Sequence, residues 1–377
     1  MSAQPSSSSR NISAVLQAPE ERSDAELRWV SFQPYLYSKG YQLRPRYRPD
    51  WVPSWTLTGA DPDSCEDSPD VLPIRTLDAT RIHDQSQVVI KILLPLDDAN
   101  DHEGEQELEI LQRFSSSLYK DDPMNHVVPC LDCFPVPDVE GGMFFVMPLL
   151  SEYKNPPFYD LSEIHDFLTQ IFEGLEFLHE HDTAHCDIAP SNLMVDNRVL
   201  YDEPFHPFYH TLSLDGKRTL QPKYVRSQRP VRYYYIDFGY ATWFKDASLP
   251  RIVTGAHAKE KATEQVEGAA YDPFKVDIYQ LGAVIRRDLI PKHEPLRFLL
   301  SLARDMTHPD PQKRPTIQSA KVMMHTHFAG LSGWQTRWPL IPPDASFQQR
   351  FIFILSGLTT EMVIFLRRIL RVIFLQN

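Results

Sequence analysis

The stretch that most constrains how this chain folds is His185-Cys186-Asp187-Ile188-Ala189-Pro190-Ser191-Asn192. Ahead of it, Ile164, Phe167, Leu168, Ile171, Leu175 and Leu178 recur at helical spacing and predict a buried helix. Behind it, Leu193-Met194-Val195 is a short apolar run that reads as a strand. Asp187 and Asn192 are therefore expected in a tight loop between two rigid elements, the support that metal and proton chemistry needs for oxygen-bearing side chains. A second acid, Asp237, closes the β-rich run Tyr233-Tyr234-Tyr235-Ile236 and begins Asp237-Phe238-Gly239.

A loop of the form H-x-D-x-x-x-x-N followed by D-F-G resembles the catalytic core of the eukaryotic protein kinases. Each motif alone is short enough to arise by chance; their order and the flanking elements carry the resemblance. It implies an α+β fold of two lobes, a small β-rich N-lobe with one helix and a large, mainly helical C-lobe. Val88-Val89-Ile90-Lys91 resembles the kinase strand whose lysine holds the α- and β-phosphates. On the helix expected over Glu103 to Phe114, Glu107 matches the glutamate that pairs with that lysine, with Glu105 and Glu109 as alternatives. Phe144-Phe145-Val146-Met147 followed by Pro148-Leu149-Leu150 resembles the hinge, with Met147 at the back of the nucleotide pocket. Pro148 has no amide donor, so adenine contacts are expected from the backbone around Leu149 and Leu150. Ala262-Thr263-Glu264 stands in the place of the family's A-P-E, Asp277 opens D-x-x-x-x-G on a buried anchoring helix, and Arg314 resembles the arginine that pairs with Glu264.

The resemblance gives each residue a role. Lys91 holds the phosphates, Glu107 positions Lys91, and Asn192 and Asp237 bind Mg2+. Asp187 orients the substrate hydroxyl and accepts its proton, while His185 packs beneath Asp237 and Phe238. The implied activity is that of an ATP-dependent kinase of protein hydroxyls, of the Ser/Thr kind. The substrate itself is not readable.

Three departures support the alternative of a pseudokinase, a binding module without transfer. Leu77 to Asp84, ahead of Lys91, contains no glycine, so side chains there are expected to keep the backbone from closing over phosphates. Cys186 replaces the arginine that reads a phosphorylated activation segment in many kinases. Ala189 replaces the lysine that Ser/Thr kinases place near the γ-phosphate, a lost cation that predicts a slow enzyme. Transfer to a small-molecule hydroxyl is a third option, disfavoured by Glu264, Asp277 and Arg314, which match the protein-kinase large lobe.

A chain of 377 residues, 42% of them hydrophobic, has enough apolar material for two lobes and extensions. The net charge of −12 argues against a nucleic-acid partner. Four cysteines are too few for a disulfide scaffold, and Cys130-x-x-Cys133 lacks a second pair and reads as packed thiols. With a serine-rich, polar start, an intracellular, cytoplasmic setting is expected.

Along the chain, residues 1–25 read as disordered and 26–70 as an arm whose Trp and Tyr dock on the small lobe while Arg44, Arg46 and Arg48 cover its surface. The kinase N-lobe and hinge follow over 71–150 and the C-lobe over 151–335. The C-lobe carries an insertion at 197–231, read as a surface excursion. The arm and insertion resemble those of a group of fungal protein-kinase-like proteins.

The extension 336–377 contains an expected amphipathic helix over 351–375. Gly357, Thr360, Glu361, Arg367, Arg368 and Arg371 lie on one face, with Phe351, Leu355, Leu358, Met362, Phe365, Leu366, Ile369 and Ile373 largely opposite. Such a helix is expected to lie on a membrane surface or pack on the large lobe. A tail anchor is less favoured, because the longest uncharged run, Phe351 to Thr360, falls short of the roughly 18 residues a span needs.

Overall fold

The computed structural model describes residues 18–68, 74–94, 104, 106–246, 248–255, 257–342 and 344–374, without the side chains of 368 and 371–374. Most of the N-terminal segment expected to be disordered, and Glu105, lie outside these residues. The chain forms the two lobes.

In the N-lobe, β1 (Tyr41–Gln42), β2 (Thr76–Arg81), β3 (Gln87–Leu93), β4 (Asp132–Pro135) and β5 (Met143–Pro148) make one antiparallel sheet in the order β1-β2-β3-β5-β4. Alternation in β3 sends Val88, Ile90 and Ile92 to one face and Val89 and Lys91 to the other. The first face is covered by α1 (Asp24–Ser38), whose start is fixed by a reciprocal Ser23–Glu26 capping box. Trp29, Phe32 and Leu36, at i, i+3 and i+7, bury against Ile90, Ile92 and Phe144. The Phe32 and Phe144 rings meet edge-to-face at 5.2 Å. A short helix, α2 (Ser54–Thr58), follows in the arm, and α3 (Glu107–Phe114) turns Ile110, Leu111 and Phe114 into the core shared with the C-lobe.

One expectation holds here and two change. Trp29, Tyr41 and Tyr47 dock the arm on the small lobe as expected, and the arm also supplies the edge strand β1. Its arginines do not all cover the surface: Arg46 is 1% exposed. It pairs with Glu26 and donates to the carbonyls of Pro19 and Glu21, both at 2.8 Å. Arg44 binds Asp78 at 2.9 Å and Arg48 the Leu43 carbonyl at 2.9 Å. Finally, Leu77 to Asp84 is strand β2 and the turn to β3, at the opposite end of the sheet from a phosphate-covering turn. Thr76, at the start of β2, pairs with Lys91, and the sequence between β1 and β2 has a single glycine, Gly59.

The C-lobe is built on α4 (Leu161–Glu180), started by Asp160 accepting from the Glu163 amide at 3.1 Å. Strand β6 (Ser151–Glu152) precedes it; β7 (Thr183–Ala184), β8 (Leu193–Asp196), β9 (Arg232–Tyr235) and β10 (Thr242–Trp243) follow, with β6-β8-β9 and β7-β10 as two small sheets. Helices α5 (Pro273–Ala283), α6 (Ile290–Lys292), α7 (Leu300–Met306), α8 (Ile317–Ala329) and α9 (Gly333–Arg337) complete the lobe.

The insertion forms no α-helix, but it is more than a surface excursion. Arg226, 4% exposed, donates to the Tyr153 carbonyl at 2.7 Å and the Tyr233 hydroxyl at 2.6 Å. Phe205 and Leu220 are buried against Leu149 of the hinge.

The tail helix, α10, spans Phe347–Phe374. It docks on the C-lobe through its small and polar side: Ser356 Oγ lies 2.6 Å from Tyr159 Oη, and Glu361 accepts from Arg337 at 3.0 Å. Gly357 lets the helix approach Trp338 and Pro339, where a Cβ would meet atoms at 3.0–3.1 Å. The apolar side, including Phe351, Leu355, Leu358, Met362 and Phe365, stays exposed. Packing on the lobe and an open apolar face thus coexist in one helix. The Arg368 and Arg371 side chains lie outside the described residues.

Candidate active site

The site is assembled where β3, α3, the 185–192 loop and the Asp237-Phe238-Gly239 turn that leads into the activation segment, residues 240–261, converge. β3 aims Lys91 into the cleft, on the same face as Phe145 and Met147 of β5. Its Nζ donates to Glu107 Oε1 at 2.6 Å and to Asp237 Oδ1 at 3.0 Å. Burial works against the ammonium, but Glu107 and then Asp237 hold the Lys91 pKa above its ordinary value. Glu107 is 3% exposed and the expected partner; Glu109 instead meets Lys245 at the surface, at 2.5 Å.

The 185–192 loop hangs from α5. Asp277, fully buried, accepts from the His185 amide at 2.9 Å, the Cys186 amide at 2.8 Å and His179 Nε2 at 2.9 Å. Gln280 holds the Ile188 amide and the Cys186 carbonyl, each at 2.8 Å. His185 packs as expected: its ring is 4.8 Å from that of Phe238, and Nε2 lies 3.1 Å from the Ile236 carbonyl. Cys186 and Asp237 both have left-handed backbone, φ 65° and 62°, strain that the surrounding contacts enforce. The buried Cys186 thiol is pushed well above its ordinary pKa by desolvation, so it is neither anion nor cation. Glu264 and Arg314 form the expected pair at 2.5 Å and 2.7 Å.

Asn192 donates to the Asp187 carbonyl at 2.8 Å and to Asp187 Oδ2 at 2.9 Å, which leaves its own Oδ1 as an acceptor. Into that space comes a residue the sequence reading missed. Lys259 Nζ is 2.7 Å from Asn192 Oδ1 and 3.6 Å from both Asp187 Oδ2 and Asp237 Oδ2. Its backbone amide donates to Asp187 Oδ1 at 2.7 Å. Burial alone would raise the Asp237 pKa, yet Lys91 and then Lys259 bring it below the ordinary carboxylate value. Three oxygens from two loops thus converge on one positive charge. The same donor set, carboxylates and an amide carbonyl, suits a hard divalent cation. Magnesium fits these residues. Nothing in the spacing around Lys259 marks it, since a lysine in a long loop is ordinarily solvated.

At the other end of the cleft, Met147 faces Val89 across the β3–β5 ladder. The Leu149 amide donates to the Gln87 carbonyl at 3.2 Å. This removes it from the expected adenine contacts and leaves those of Leu150. Val89 and Tyr201 pack against the cluster of Leu149, Phe205 and Leu220, and Gln87 Nε2 donates to the Phe205 carbonyl at 2.8 Å. The insertion therefore covers the hinge end of the cleft.

This fold and site define a two-lobed kinase domain. Residues 75–298 match the protein kinase domain family, and the chain belongs to that family. It is 27% identical over 183 residues to a Wee1-like protein kinase of Drosophila melanogaster, covering 42% of this chain and 29% of that one. It is 23% identical over 216 residues to cyclin-dependent kinase-like 2 of Oryctolagus cuniculus, covering 46% and 34%. Against Wee1-like protein kinase 2 of Danio rerio the identity is 24% over 180 residues, covering 42% and 31%. The chain thus matches about a third of the length of these relatives.

Proposed function

We propose that the protein is an ATP-dependent kinase that transfers the γ-phosphate to a protein hydroxyl, of the Ser/Thr kind. The observation that carries this reading is the joined set Lys91–Glu107–Asp237 beside Asp187–Asn192. Lys91, already ion-paired, is placed to hold phosphate oxygens. Asn192 and Asp237 would hold Mg2+, which neutralises charge on the phosphates when bound. Asp187 takes the proton of the attacking hydroxyl. The new O–P bond forms as the bond from the γ-phosphorus to the bridging oxygen breaks, and that electron pair leaves with ADP.

The alternative, a binding module without transfer, is supported by one observation: both Asp187 oxygens are already engaged, Oδ1 by Lys259 and Oδ2 by Asn192. A substrate hydroxyl would share Oδ1 with the Lys259 amide, which the two lone pairs of a carboxylate oxygen allow. The setting proposed is intracellular, with α10 lying on a membrane surface.

Titration calorimetry with ATP tests the reading. Wild type should bind ATP far more tightly with Mg2+ than without; Asp237→Ala should abolish that difference, and Lys91→Ala should weaken ATP binding in both conditions. Equal affinity with and without the metal would remove the magnesium assignment.

A further inference from the structure

Ala189 leaves the catalytic loop without a cation, and the site contains one all the same. Among the described residues, the ion pairs to Asp187 and Asp237 come from Lys91 and Lys259 alone. Lys91 is committed to Glu107, at 2.6 Å. Lys259 arrives from the activation segment and belongs to neither the strand nor the loop.

We propose that Lys259 is the phosphate-facing cation of this site, supplying from the activation segment the charge that Ala189 does not. The proposal rests on the kinase reading above. Two features separate Lys259 from a chance surface lysine. Its backbone amide is tied to Asp187 at 2.7 Å, so the residue stays beside the catalytic acid whatever its side chain does. Its ammonium lies among the oxygens of Asn192, Asp187 and Asp237, at 2.7–3.6 Å, while the side chain is 48% exposed and free to swing on its four-carbon stem. A divalent ion on Asn192 and Asp237 repels an ammonium there. The most concentrated negative charge within its reach is then the terminal phosphate of a bound nucleotide. Lys259 would meet it as a point charge with three donors.

A contact of this kind discriminates ATP from ADP, because only ATP carries the γ-phosphate. A charge-assisted hydrogen bond to it corresponds to at least about tenfold in affinity. The test is the ratio of ADP to ATP dissociation constants with saturating Mg2+, measured by calorimetry on the full chain for wild type, Lys259→Met and Lys259→Arg. Thermal melting checks that each variant is folded. The expected result is that Lys259→Met loses about tenfold of the preference for ATP with ADP affinity unchanged, while Lys259→Arg keeps most of it. Equal weakening of both nucleotides, or no change, overturns the proposal. Equal tightening of both also overturns it, because Lys259 would then be a plug in the metal site. If wild type binds neither nucleotide, the kinase reading itself fails; if it binds ADP with Mg2+ and only the ratio is insensitive, the failure belongs to Lys259 alone.

Discussion

His126 is a buried side chain whose cost depends on pH. Its Nδ1–H donates to the Tyr233 carbonyl at 2.8 Å, Nε2 has no partner among the described residues, and its Cβ sits where a side chain on Gly174 would clash. Burial, the largest influence, brings its pKa down to about 4. Between that value and the ordinary 6.5 the unfolded chain binds a proton the folded chain refuses, so stability rises with pH across this window and is lost as pH falls through it. Chemical denaturation of wild type and His126→Leu from pH 4 to pH 7 measures the effect. The variant should lack about one proton of the slope, and an identical slope would contradict this account. At the same scale, the sequence made Lys91, Glu107, Asp187, Asn192 and Asp237 legible because kinase chemistry fixes their spacing to nearby elements. Lys259 was not legible. Its position depends on how a long loop folds back over Asp187, and no local periodicity encodes that.

Among the elements, α1 is the one that covers the N-lobe sheet on the face away from Lys91. Trp29 is fully buried against the sheet face opposite the cleft, so Trp29→Ala should destabilise by about 3–5 kcal/mol, read as a lower denaturation midpoint. A loss below about 1 kcal/mol would mean that the arm is not part of the cooperative N-lobe. The sheet itself was readable in β3 and β5, whose β-branched and aromatic runs mark them as strands. The joining of β1 across residues 43–75 was not, because two residues of edge strand leave no pattern. The insertion was misjudged for a related reason. Its Pro, His, Tyr and Arg content looks exposed, yet Arg226 is buried by backbone carbonyls and Phe205 by the hinge, partners supplied only by the tertiary fold. Because Phe205 and Leu220 cover Leu149 beside Val89, Phe205→Ala with Leu220→Ala should open the hinge end of the cleft. ADP association, followed by stopped-flow fluorescence with Mg2+, should then be several-fold faster. An unchanged rate would show that the insertion lies clear of the entry path.

For the whole molecule, the longest run of exposed apolar side chains among the described residues lies on α10. Its stretch Phe347–Arg367 is long and apolar enough to cross a membrane, with mean hydropathy 1.4, yet Glu361 is tied to Arg337 and Ser356 to Tyr159 on the C-lobe. A helix held along one side and apolar on the other suits a bilayer surface. Flotation with anionic vesicles should recover the full chain and not a form ending at residue 345, and recovery should fall with salt and with Arg367→Gln. Retention in alkaline carbonate would instead indicate a span. The central claim, that the cleft transfers phosphate, is tested most directly by following γ-labelled ATP with Mg2+ and a mixed panel of Ser/Thr and Tyr peptides, for wild type and Asp187→Asn. The account predicts label on hydroxyl peptides with wild type, a loss of at least about a hundredfold with Asp187→Asn, and nucleotide affinity retained in both. Nucleotide binding by wild type with no transfer above that of Asp187→Asn would contradict it and leave the binding module as the function of this fold.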